Sequence, residues 1–135
     1  MDLLHLIVAD YANLTKDGKL NVMGIFSTIN ASAFPAKHSE MYVIVKLYAK
    51  PAEYDQTRKL TIKLLDEDAT QQLVNFSHDF RVPKGSGGQR VETNHILRLT
   101  DVIFPSAGSY QISALVDNDE KGTLSINVVQ QLAEG

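Results

Sequence analysis

Four histidines, His5, His38, His78 and His95, are the side chains in this sequence best suited to proton transfer or metal ligation. No two of them stand at the short spacing of a metal motif, so a shared site would need distant segments to converge. His78 sits between Phe76 and Phe80 on the apolar parity of its segment, which suits a core histidine satisfied by a neighbouring polar group. His5 and His95 fall at segment starts and read as structural or exposed.

Acids gather in turns, at Asp66-Glu67-Asp68 and at Asp117-Asn118-Asp119-Glu120, where oxygen ligands for a hard cation such as calcium would have to come from. If the segments alternate up and down, Asp17, Glu53, Asp55, Glu92, Asp117, Asp119 and Glu120 share one end. Asp117, Asp119 and Glu120 are then the candidate ligands. Lys16, Lys84 and Lys121 fall beside them, so solvated turns are the plainer reading. No serine lies in a nucleophile elbow and no Ser/His/Asp set can be assigned. Asp10 is the one acid flanked by apolar residues, and it stands near a segment end. Neither catalytic residues nor a cofactor are expected.

The glycine-rich stretch Lys84-Gly85-Ser86-Gly87-Gly88-Gln89-Arg90 superficially suggests a phosphate cradle. Such a cradle needs the N–H groups of a following helix, whereas Val91-Glu92-Thr93-Asn94 lead into another extended run. The loop 83–94 therefore reads as a mobile strand connection, with Lys84, Gly85, Gly87, Gly88 and Arg90 available for recognition.

The segments that must position these groups alternate apolar and polar residues with period 2. Tyr110, Ile112, Ala114 and Val116 share one face, answered after a polar turn by Leu124, Ile126 and Val128. Similar runs cover 3–12, 19–29, 41–50, 60–64, 74–82 and 95–101. Asp17-Gly18 between the first two is a hairpin signal, because glycine accepts the positive φ of a tight turn. In the second run Leu20 and Val22 share one parity and Ile25 and Ile29 the other, which a bulge at Gly24 would reconcile. The pattern predicts an all-β fold: a two-sheet antiparallel β-sandwich of about eight strands, immunoglobulin-like or a related Greek key, with a closed β-barrel as the alternative. Pro105, Gly108 and Tyr110 suit a corner where a tyrosine hydroxyl bonds back to the backbone.

The chain has 135 residues, enough for one domain (1–130) followed by a loose tail (131–135). It lacks cysteine, which excludes disulfides and thiol chemistry. A net charge of −3 argues against nucleic acid as a partner. The apolar opening Leu3-Leu4-His5-Leu6-Ile7-Val8-Ala9 follows Asp2 and is broken by His5, so it reads as a first strand instead of a secretion signal, and no run is long enough for a membrane span. A cytoplasmic setting is expected.

Ala9-Asp10-Tyr11-Ala12, then Asp17-Gly18-Lys19-Leu20-Asn21-Val22-Met23-Gly24-Ile25-Phe26, Phe34-Pro35, Phe104-Pro105, Gly108 and Tyr110 resemble a family of small uncharacterised bacterial β-sandwich proteins over nearly the whole chain. The resemblance implies the fold and a bacterial cytosolic setting, and it brings no catalytic residues.

The remaining signal concerns partners. The first strand is apolar on both parities, and the third adds Tyr42, Ile44 and Tyr48 opposite its core face. Extra apolar surface must be covered. Leu3, Ile7, Tyr42, Ile44 and Tyr48 are the expected interaction surface of a non-catalytic, self-associating interaction or structural module. The alternatives are a barrel carrying a small apolar ligand and, third, a calcium-dependent binding module.

Overall fold

Thr15-Lys16-Asp17-Gly18 closes the first hairpin as its residues dictate. Gly18 takes φ 85°, its N–H reaches the Thr15 carbonyl at 3.0 Å, and the Thr15 hydroxyl accepts from the Lys19 N–H at 2.9 Å. The hairpin opens a computed structural model that describes residues 1–131. Its strands are β1 (Asp2–Leu14), β2 (Leu20–Ile25), β3 (Thr28–Ala31), β4 (Ala36–Ala49), β5 (Thr57–Asp66), β6 (Gln72–Arg81), β7 (Val91–Phe104), β8 (Gly108–Val116) and β9 (Asp119–Gln130), with one 3₁₀ turn at Pro51–Glu53. Of the expected tail, Gln131 donates to the Ala31 carbonyl at 2.8 Å, and 132–135 lie outside the described residues.

The protein is all-β and two-sheeted. A four-stranded sheet has the order β2-β1-β4-β7, and a five-stranded sheet the order β3-β9-β8-β5-β6. One core fills the space between them: Val8, Met41, Val43, Val45 and Leu47 from the first sheet meet Leu60, Ile62, Leu64, Ile112 and Ile126 from the second. Tyr110, buried beside Phe104, donates its hydroxyl to the Ser106 carbonyl at 2.7 Å, the corner bond its sequence setting implied.

Three expectations need correction. The run 19–29 is two strands in different sheets, not one bulged strand. Gly24 takes φ 71°, and a Cβ there would lie 2.5 Å from an Asp10 carboxylate oxygen, yet β2 stays on β1 past it: Ile25 faces Ala9 and the Phe26 N–H donates to the Val8 carbonyl at 3.1 Å, and only from Ser27 does the chain join β9. That pairing is parallel, so the sheets are not wholly antiparallel. The strand expected over 95–101 runs from Val91 to Phe104, because Val91 and Thr93 find partners in Ala49 and Leu47 on β4.

Candidate functional site

Two regions concentrate the side chains that fold stability does not by itself explain. The first is the outer face of the four-stranded sheet. Register sets Ile7 opposite Ile44, Ala9 opposite both Tyr42 and Ile25, and Tyr11 opposite Met23; Ile44 continues to Ile96 on β7. Cross-strand partners project to the same side, so these residues form one apolar surface facing away from the main core. Its centre is closed by its own neighbours, with Ile44 at 0% exposure, while its β2 margin is open, with Met23 at 64% and Ile25 at 65%. Tyr11 meets the Tyr42 ring edge-on at 5.2 Å. Arg98 donates to Glu40 at 3.0 Å, and the Tyr42 hydroxyl also reaches Glu40; that hydroxyl first and Arg98 second hold the Glu40 carboxyl below its ordinary range.

Of the surface expected from sequence, Ile7, Tyr42 and Ile44 do come together. Leu3 does not join them. The register shifts between Leu3 and His5, which turns Leu3 into the core against Gly122 of β9 and leaves Leu4 exposed. Tyr48 lies farther along β4, half-buried beneath the Arg90 guanidinium, which sits 4.5 Å from its ring centroid. The sequence pattern missed Tyr11, Met23 and Ile25; the two open apolar parities of β1 and β2 were the signal.

The second region is the seam where the edge strands β6 and β7 face each other across the two sheets. His78 Nε2 lies 3.2 Å from His95 Nδ1, and His95 Nε2 lies 2.9 Å from the Thr93 hydroxyl. Phe80 packs edge-on against the His95 ring at 4.5 Å, and Phe76 and Phe80 flank His78 at 5.9 and 6.2 Å. Burial, and secondly the neighbouring His78, push the His95 imidazole down to about 4, so it is neutral at physiological pH. His95 is thus the middle of a half-buried strand, not an exposed strand start, and sequence spacing gave no hint of a meeting between residues 17 apart.

The turn acids find other partners. Arg58 binds Asp117 at 2.9 Å and Glu53 at 3.2 Å, and Glu53 also takes the Met1 ammonium at 2.7 Å. The Arg58 hydrogen bond, opposed by desolvation, holds Asp117 below the usual carboxylate range. Asp119 pairs with Lys121 at 2.9 Å, Asp55 with Arg81 at 3.7 Å, and Glu120 is exposed. The expected convergence of Glu53 and Asp117 at one end is present, built around a guanidinium in place of a cation. Among the described residues no group of three or more His, Cys, Asp or Glu could hold a metal ion.

The glycine loop is anchored at both ends. Gly85 lies so close to Tyr54 and Val91 that a side chain there would collide, the Tyr54 hydroxyl donates to the Gln89 carbonyl, and Arg90 stacks on Tyr48. Between these anchors Gly87 and Gly88 adopt φ 63° and 68°, and Lys84 is exposed. Where the chain crosses between sheets, Phe26 borders two pockets: one of about 230 Å³ lined by Leu6, Val8, Ile25 and Leu124, and one of about 280 Å³ lined by Asp10, Thr28, Asn30 and His38. His38 Nε2 is buried without a hydrogen-bond partner.

This arrangement defines a class, an all-β protein whose unusual features are an open apolar sheet margin and a histidine-lined seam. The chain belongs to a family of unknown function, DUF6941, whose model matches residues 4–129. No curated protein is similar to it in sequence. Among solved structures it is similar to the Pseudomonas fluorescens alkylpurine DNA glycosylase AlkC bound to DNA containing an abasic site analog, with a TM-score of 0.55 and 12% identity over 95% of this chain. The match spans 30% of that protein's chain, and at this identity it is a likeness of fold alone. No helix among the described residues is long and apolar enough to cross a membrane.

Proposed function

We propose that this chain is a non-catalytic interaction module, a β-sandwich of the bacterial cytoplasm, that pairs with a second copy of itself through β2 and the adjoining outer sheet face. The supporting observation is the contrast among the four sheet edges. Natural edges are blunted by charge, proline or brevity. β3 has only four residues, β6 carries Asp79 and Arg81, and β7 carries Glu92, Arg98 and Asp101. β2, Leu-Asn-Val-Met-Gly-Ile, has no charged residue and exposes Met23 and Ile25 beside a row of backbone groups with no strand partner.

A second copy fits this edge better than a charged peptide does. Two uncharged β2 strands meeting across a two-fold axis bring no like charges together and extend the sheet continuously. Hydrogen exchange tests the reading: β2 amides should gain protection as protein concentration rises while β6 amides do not. Equal exchange of β2 at all concentrations would refute it.

The carrier reading draws on the pocket of about 230 Å³ lined by Leu6, Val8, Ile25, Phe26 and Leu124. It predicts displacement of a bound fluorescent fatty acid, whereas the pairing reading predicts none.

A further inference from the structure

From the His78–His95 geometry, and going beyond self-pairing, we infer a two-histidine binding site for a late first-row divalent metal ion, with zinc as its simplest occupant, bridging the edges of the two sheets. Two imidazole nitrogens bound to tetrahedral zinc at about 2.0–2.1 Å stand about 3.3–3.4 Å apart. His78 Nε2 and His95 Nδ1 stand 3.2 Å apart with no backbone rearrangement. Imidazole ligates in its neutral form.

Thr93 completes the design. When His95 Nε2–H donates to the Thr93 hydroxyl, the proton is held on that side of the ring and the Nδ1 lone pair faces His78. In the metal-free protein a proton on His78 Nε2 fills the gap as a hydrogen bond. Metal replaces that proton, and His78 then carries its proton on Nδ1. The His78 Nε2–H bond breaks and an Nδ1–H bond forms, so the ring stays neutral and no net proton is released.

One charged group shares this face, Arg58 on β5 opposite Phe80, and it is engaged by Glu53 and Asp117. Opposite His78 on β5 is Leu60, and opposite His95 on β4 is Val45. Phe76 and Phe80 flank the pair on β6, and Thr93 and Leu97 on β7 share its face. The charged neighbours Lys59, Lys63, Asp79, Lys46 and Glu92 occupy alternate positions, whose side chains leave on the opposite faces of their sheets. Both histidines are half-buried, so water reaches the remaining coordination positions. Imidazole donors without a carboxylate suit zinc, copper and nickel over calcium or magnesium.

Calorimetric titration of untagged protein with zinc chloride at pH 7.5 tests the assignment. Expected are one site per chain, affinity that falls on acidification as protons compete, and a raised Tm with metal. His95→Phe keeps the ring packing and should abolish binding. His78→Gln, on an edge strand and structurally mild, should also abolish it, and Thr93→Val should weaken it about 10-fold or more. Copper and nickel should bind through the same residues, and calcium should give no heat. Absence of zinc heat up to millimolar concentration, or binding that survives both His78→Gln and His95→Phe, would overturn the proposal.

Discussion

The two margins of the four-stranded sheet treat their neighbours in opposite ways. At β7 the margin is covered: its inner face meets β6 through His95, His78 and Phe80, and its strand carries charge that discourages further pairing. At β2 the margin is bare, because the chain crosses to the other sheet after Phe26 and no further strand is laid against β2. A polar hydrogen-bond chain closes one side of the molecule, and an uncharged strand with exposed Met23 and Ile25 waits at the other. The first side is expected to respond to protons, the second to concentration.

The largest effect is expected where the bare side is already packed. Ile44→Ala removes a fully buried side chain from the outer cluster and should cost about 2–5 kcal/mol in chemical denaturation. Such a loss would show that the cluster's centre serves stability and its margin alone is free for a partner; a negligible loss would dissolve that division.

The seam comes next. The unfolded chain binds a proton at His95 near pH 6.5, and the folded chain only near pH 4. Stability at this residue is therefore full above pH 6.5 and falls as pH drops from 6.5 toward 4, since the unfolded state binds more protons across that window. His95→Phe should flatten this acid limb in Tm-versus-pH measurements, and an unchanged limb would place its origin elsewhere.

A smaller change is expected from Tyr110→Phe. It deletes the hydroxyl bond to Ser106 at a corner remote from both margins and should cost about 1 kcal/mol by urea denaturation. The mass of the protein in solution should not alter. The smallest stability change belongs to the bare margin itself: Met23→Lys and Ile25→Lys, at exposed positions, should each shift unfolding by less than about 0.5 kcal/mol.

The uneven legibility of these regions has a physical basis. Period-2 alternation is local, and it located β5, β6 and β8 closely, but it started β4 at Met41 instead of Ala36 and β9 well after Asp119, where the strand ends are polar. Asp17-Gly18 and the Tyr110 corner were legible because they depend on φ tolerance and one hydroxyl near in sequence. The double apolar parities of β1 and β4 pointed to Ile7, Tyr42 and Ile44, which register does place together, with Tyr42 and Ile44 buried by their own neighbours. They misplaced Leu3, because a single register shift reverses a parity without changing composition. Gly24 looked like a bulge, but the register runs through it unshifted, and the switch of parity comes from the change of sheet after Phe26. The His78–His95–Thr93 chain was invisible. It arises from two edges that share no backbone ladder, so no spacing rule could bring its members together.

Light scattering on a column, run with wild type and with the Met23→Lys/Ile25→Lys variant at micromolar concentration, addresses the proposed pairing most directly. A two-chain mass for wild type and a one-chain mass for the equally stable variant is the predicted result. A one-chain mass for both proteins, or a two-chain mass for both, would contradict it.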